Sequence, residues 1–274
     1  MELWLGNEES VKQYAAAVKA GPPKDWKPEL RCSAFKSHGG LAPLAQAAGS
    51  TAIVKVSGTL LAGEAGWMRY YGMIGYEDIK AATFEAATSS DYDSIVLYVD
   101  SPGGAVNGVQ SMAASLKQLA KIKPIAVYAA TACSAAYWLA SAAGPIVAGE
   151  LSTLGSIGTV AQVANLVDYH EKEGVKYHTF KSGDLKMAGN PNEPLSEAAK
   201  EHFQKMVNAS ADVFFKDIAA SRGLDKAKLQ KNLGDGRTVL AREALQSRLI
   251  DKVGSLSDAI KIAQVEAARK RKRR

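Results

Sequence analysis

Ser94-Ile-Val-Leu-Tyr-Val-Asp-Ser-Pro-Gly-Gly104 is an almost unbroken apolar run that stops on a carboxylate, a proline and two glycines. A strand with one wet face alternates apolar and polar residues, whereas a strand covered on both faces need not. Ser94 to Val99 therefore reads as a central strand, and the following Asp100 to Gly104 as the turn that ends it. Val106, Val109, Met112, Leu116 and Leu119 then fall on one helical stripe. Pro124 closes that helix, Ile125 to Ala129 is the next strand, Ser134 to Ala142 a short helix, and Ile146 to Ala148 a further strand. Upstream, Thr51 to Val56 reads as a strand and Tyr76 to Ala87 as a helix. Between them, Gly63 to Gly75 is rich in glycine and aromatics and suits a mobile surface segment.

Downstream, Val160 to Glu173 is expected to be helical and Val175 to Phe180 to be a strand. Ser196 is placed to cap a long helix carrying Phe203, Val207, Phe214 and Ile218. A last strand is expected near Leu249 to Val253. Strands alternating with helices imply crossover connections, hence an α/β fold with a mostly parallel sheet flanked by helices. Residues 1–48 read as an N-terminal helical appendage and linker, with Val11, Tyr14, Ala15 and Val18 on one helix face and Gly21-Pro22-Pro23 ending it. Residues 49–256 form the expected main domain, and 257–274 a C-terminal helix and basic tail.

The chain has 274 residues, 47% hydrophobic and 23% charged, which suits a globular protein with a sizeable core. The net charge of +6 comes from the end of the chain, where Arg269 to Arg274 are all basic. Without them basic and acidic residues balance, so no nucleic-acid-binding face is expected on the core. The tail reads as a solvated end, with an anionic partner as the alternative. Cys32 and Cys133, the two cysteines, form no CxxC pair, and no disulfide framework or zinc site is expected. Met1-Glu-Leu-Trp4 lacks the basic start and apolar stretch of a secretory signal, so a cytoplasmic location is expected. Pro124 to Gly149 carries no charge, but its two prolines and polar centre divide it into short buried pieces rather than a membrane span.

G-x-S-x-G, Walker and HExxH motifs are all missing. His38, His170, His178 and His202 match no common ligand spacing, and neither a metal nor a cofactor is expected. Two places stand out. Gly103 and Gly104 follow one buried strand, where free amides at a helix start could hold an anion; the alternative is a turn that needs glycine for geometry alone. Ser134 follows the next strand, within Thr131-Ala-Cys-Ser-Ala-Ala-Tyr-Trp-Leu139. In a parallel sheet both strand ends lie on one edge, where ligands bind. Ser134 reads either as a nucleophile or as a helix cap, with Cys133 the rival nucleophile or a small buried residue. A serine nucleophile needs a base, and with no suitable histidine a desolvated lysine remains. Lys181 and Lys186 are both open to that role.

Together these stretches resemble the signal peptide peptidase family of Ser–Lys proteases, which have a Clp-protease/crotonase-type fold. The matching stretches are Val99-Asp-Ser-Pro-Gly-Gly104, Ala132-Cys-Ser-Ala-Ala-Tyr-Trp-Leu-Ala140, Gly155-Ser-Ile-Gly158 and Lys181-Ser-Gly-Asp-Leu-Lys186, in the family's order over residues 50–256. The resemblance implies a serine endopeptidase with Ser134 as nucleophile, Lys186 as base, and Gly103 and Gly104 as the oxyanion turn. Ala135-Ala136 departs from the two glycines that many members have there. Lys186-Met-Ala-Gly-Asn-Pro-Asn-Glu-Pro-Leu-Ser196 is similar to a stretch of phage and prophage members, which cut scaffold and head proteins during capsid maturation. That branch implies protein substrates, a homo-oligomeric ring, and a location in the host cytoplasm or prohead interior. The alternatives are a cellular signal peptide peptidase-like enzyme that degrades peptides, and a catalytically silent assembly protein.

Overall fold

The computed structural model describes residues 4–5, 8–24, 34–36 and 43–273. In chain order the elements are β1 (Trp4–Leu5), α1 (Glu8–Ala20), β2 (Ala45–Ala48), β3 (Thr51–Ser57) and β4 (Thr59–Leu61). A 3-10 turn (Gly66–Tyr71), β5 (Met73–Gly75), α2 (Tyr76–Thr88), β6 (Ser94–Ser101), β7 (Gly104–Ala105) and α3 (Val109–Ile122) follow. Next come β8 (Ile125–Cys133), α4 (Ala135–Ala143), β9 (Ile146–Gly155), α5 (Val167–Lys172), α6 (Glu197–Arg222) and α7 (Lys226–Leu233). The chain closes with β10 (Thr238–Leu240), α8 (Ala241–Gln246), β11 (Lys252–Val253) and α9 (Leu256–Lys272).

The main sheet runs β10-β9-β8-β6-β3-β2, with β11 also on β9. β3, β6, β8 and β9 are parallel, and β2 and β10 close the sheet antiparallel. The unbroken apolar run of β6 has the cause expected of it. Ile95, Leu97 and Val99 point into one core with α2, α3, α4 and α6, while Val96 points to the other face, against Ala259 and Ala263 of α9. Two covered faces leave no position for a polar residue. A smaller sheet, β1-β7-β4-β5, lies at the strand-end side of β6.

α4 is buried along its whole length, which explains the charge-free stretch from Pro124 to Gly149. Among the described residues no helix is long and apolar enough to cross a membrane. Two side chains fix α4. Trp138 stacks on Phe214 of α6, ring centroids 4.5 Å apart, and its Nε1–H donates to Asp217 Oδ2 at 3.2 Å. The Tyr137 hydroxyl, wholly buried, donates to the Leu249 carbonyl at 2.7 Å. α6 itself starts at Ser196, whose hydroxyl accepts from the Ala199 amide, and stops at Gly223 in the left-handed region.

Four expectations change. Val175 to Phe180 is not a strand: among the described residues it has no pairing partner, and it lies largely exposed, Phe180 at 96%. Of Val160 to Glu173 only Val167–Lys172 is helical. The Gly63 to Gly75 stretch is not wholly superficial, because β5 places Met73 and Ile74 in the core. The basic end is not a loose tail either: α9 runs to Lys272. Lys270 Nζ donates to the Ile122 carbonyl at 3.2 Å, capping α3, and Arg271 pairs with Asp93 at 3.1 Å.

Candidate active site

Ser134 stands between β8 and α4 with φ 54° and ψ −122°. A residue with a Cβ avoids positive φ, and such strain is of order 1–3 kcal/mol. The neighbouring structure imposes it. The Ser134 amide donates to the Gly155 carbonyl at 2.7 Å, and its own carbonyl accepts from the Trp138 amide at 3.0 Å. Ser134 is 1% exposed and occupies the position of a helix cap, yet its hydroxyl makes no capping hydrogen bond. The first amides of α4, beginning with Ala135, therefore meet the site without a side-chain acceptor of their own.

Cys133 is set apart from Ser134 by its surroundings. Its Sγ lies 3.7 Å from the Thr153 carbonyl, and burial pushes the thiol up to about 11. A thiol held protonated is a poor nucleophile at neutral pH.

The glycine turn is brought to the same edge by parallel pairing of β6 with β8, Ser101 opposite Ala132. α4 also packs against β7. The Ser101 hydroxyl donates to the Gly58 carbonyl at 2.6 Å and accepts from the Gly103 amide at 3.2 Å. Gly103 thus shapes the turn with its amide already engaged. Gly104 lies so close to β4 that a Cβ there would meet the Leu60 carbonyl at 1.9 Å, so no larger residue fits. Gly155 and Ser156, at the end of β9, form the third wall, both at positive φ.

The two lysines differ sharply. Lys181 Nζ is paired with Glu193 Oε2 at 2.7 Å, a contact that holds the Glu193 carboxyl below its usual range. That ion pair occupies the Lys181 ammonium. Lys186 lies exposed on a turn where its amide donates to the Gly183 carbonyl at 2.9 Å. Among the described residues its ammonium makes no hydrogen bond or ion pair, to Ser134 or to any other group. Along the same stretch of chain, Tyr169, Val175, Tyr177, Phe180, Leu185 and Met187 are all exposed. A single chain thus brings the Ser134 junction and the Gly104 turn to one sheet edge, while Lys186 lies exposed with no bond to Ser134 among the described residues.

The sequence did not point to the Ser101 hydroxyl or the Ala135 amide. Serine in the Asp100-Ser-Pro-Gly-Gly104 turn was a signal for the first. The second follows only once Ser134 is known to leave α4 uncapped.

The model for peptidase family S49 matches residues 117–270, a span that holds Ser134 and both lysines. The chain belongs to peptidase family S49. Similar proteins include the capsid assembly protease C of Escherichia phage lambda, 33% identical over 213 residues, covering 77% of this chain and 48% of the relative. The head-tail preconnector protein GP5 of Enterobacteria phage P21 is 29% identical over 212 residues, 77% of this chain and 42% of that protein. The chloroplastic serine protease SPPA of Arabidopsis thaliana is 34% identical over 181 residues, 65% of this chain and 27% of that protein. The chain spans about half the length, or less, of these relatives. The mixed sheet flanked by helices is the Clp-protease/crotonase-type architecture of the family.

Proposed function

We propose that the chain is a serine endopeptidase in which Ser134 is the nucleophile and Lys186 the general base. The observation that carries this reading is the strained, uncapped Ser134 at the strand-to-helix junction, beside the Gly104 turn. Neutral Lys186 takes the Ser134 hydroxyl proton as Oγ bonds to the substrate carbonyl carbon. The Gly104 amide and the Ala135 amide hold the resulting oxyanion, with Gly103 setting the turn between Ser101 and Gly104. The C–N bond then breaks, Lys186 gives its proton to the leaving amine, and an acyl-enzyme remains. Water attacks the acyl carbon, gives a proton to Lys186, and releases the acid as Ser134 recovers its hydrogen.

A lysine acts as base when desolvation or a nearby cation favours its neutral form. The exposed apolar residues along the Tyr169 to Met187 stretch, which holds Lys186, support assembly as the event that buries it, with Lys186 delivered to Ser134 within a homo-oligomeric ring. The substrate favoured is a scaffold or head protein of a phage capsid. This rests on the capsid role in the name of the lambda relative and on the Lys186 to Ser196 stretch. The chloroplast relative favours a second reading, a cellular peptide-degrading enzyme.

Cleavage of fluorescently labelled casein by Ser134→Ala, Lys186→Ala and Lys181→Ala variants tests the dyad. The first two are expected to be inactive and the third active. Full activity in Ser134→Ala or Lys186→Ala removes that residue from the mechanism. Cleavage of the capsid scaffold in preference to free signal peptides separates the two substrate readings.

A further inference from the structure

The edge of β7 beside Ser134 is occupied by the chain's own N-terminal region. β1 pairs with β7 antiparallel, Trp4 opposite Ala105 and Leu5 opposite Gly104. The other edge of β7 belongs to β4. There Leu60 lies opposite Gly104, and the Leu60 amide donates to the Gly103 carbonyl at 2.9 Å. The Ala105 carbonyl accepts from the Tyr76 hydroxyl at 2.6 Å. Backbone amides along a strand point alternately to its two edges. The Gly104 amide therefore faces β1.

That amide is the one assigned above to the oxyanion. An extended peptide with its carbonyl between Ser134 and Gly104 would run along this same edge, adding a strand to the small sheet. One edge accepts one strand. We propose that β1 is an intramolecular competitor of the substrate, held on Gly104–Ala105 until an incoming peptide displaces it. The inference rests on the reading of Ser134 and Gly104 given under the proposed function.

The element behind β1 supports such a device. α1 is fastened independently: the Thr59 hydroxyl donates to Gln13 Oε1 at 2.6 Å, and Gln13 Nε2 donates to the Tyr71 carbonyl at 2.7 Å. Both bonds lie on α1, so β1 leaves the edge without undocking the helix. The helix in turn keeps β1 at high local concentration near the edge it vacates. β1 is two residues long, so its ladder is short enough for a longer peptide to outcompete.

Competition of this kind acts on KM. Occupancy of the edge for about nine-tenths of the time raises the apparent KM about tenfold and leaves kcat unchanged. The test is casein cleavage by the full chain, by Leu5→Pro, which removes the amide opposite Gly104, and by the chain lacking residues 1–7. The expected result is a lower KM in both variants at the same kcat, and a competitive return of the higher KM when a synthetic peptide of residues 1–7 is added to the truncated chain. Should the truncated chain fail to fold by circular dichroism, Leu5→Pro and the added peptide decide. An unchanged KM, or no cleavage by any form, overturns the inference. Ser134→Ala in the Leu5→Pro background separates the two readings. If it is inactive while KM is unchanged, only the competitor falls; if it cleaves, the assignment of Ser134 falls and takes the competitor with it.

Discussion

The Ser134 amide hangs from the Gly155 carbonyl of the neighbouring strand at 2.7 Å. That bond joins the end of β8 to the end of β9, where Cys133 lies opposite Gly155. It fixes Ser134 at positive φ, so the hydroxyl is presented at the sheet edge instead of folding back to cap α4.

Strain at Ser134 has a measurable consequence. Ser134→Gly relieves the positive φ and is expected to stabilise the chain by about 1 kcal/mol while abolishing cleavage. Ser134→Ala keeps the Cβ and is expected to leave stability within about 0.5 kcal/mol. Thermal melts of the two variants check this, and equal melting temperatures would refute the strain.

Trp138 holds the helix that carries Ser134. Its stack on Phe214 and its hydrogen bond to Asp217 are both lost in Trp138→Ala, which is expected to destabilise by about 3–5 kcal/mol. Asp217→Asn keeps an acceptor and should be destabilised far less. Chemical denaturation of both variants measures the difference.

Cys133 supplies a pH test. Burial raises its thiol from 9.0 in the unfolded chain to about 11 in the fold. The group therefore adds stability that is fully present below pH 9 and is lost as pH rises from about 9 towards about 11. Cys133→Ala is expected to flatten that loss and to retain casein cleavage. Loss of cleavage in Cys133→Ala with the fold intact would return Cys133 as the nucleophile.

If Lys186 reaches Ser134 only between copies, dilution below the assembly concentration abolishes cleavage. Mixing inactive Ser134→Ala with inactive Lys186→Ala then restores part of it. Phe180→Asp, at an exposed apolar residue of the same chain stretch, is expected to reduce both subunit number and activity. Light scattering alongside the cleavage assay reads both, and full activity in a monomeric Phe180→Asp would contradict the arrangement.

The parts of the fold that were legible in the sequence share one cause. β6 and β8 are covered on both faces, and α4 is buried throughout, so burial wrote continuous apolar runs at Ile95 to Val99 and Ala135 to Ala140. Val175 to Phe180 carries a strand-like pattern, but among the described residues no strand pairs with it, and Val175, Tyr177 and Phe180 are exposed instead. Met73 and Ile74 were hidden among glycines and aromatics, because a three-residue strand is too short to show a period. The pairing of Trp4 and Leu5 with Ala105 and Gly104 joins residues a hundred positions apart, and nothing local encodes it. At the site, position along the sheet edge was readable for Ser134 and Gly104. The choice between Lys181 and Lys186 was not, because no local pattern marks the Glu193 carboxylate as the partner of Lys181.

The central claim is that Ser134 is a nucleophile activated by Lys186. The most direct measurement is labelling of the assembled protein with a fluorophosphonate, followed by peptide mapping of the adduct by mass spectrometry. The account predicts an adduct on Ser134 that forms in the unsubstituted chain and in Lys181→Ala, and that is lost in Lys186→Ala. An adduct on another residue, or undiminished labelling of Ser134 in Lys186→Ala, would contradict it.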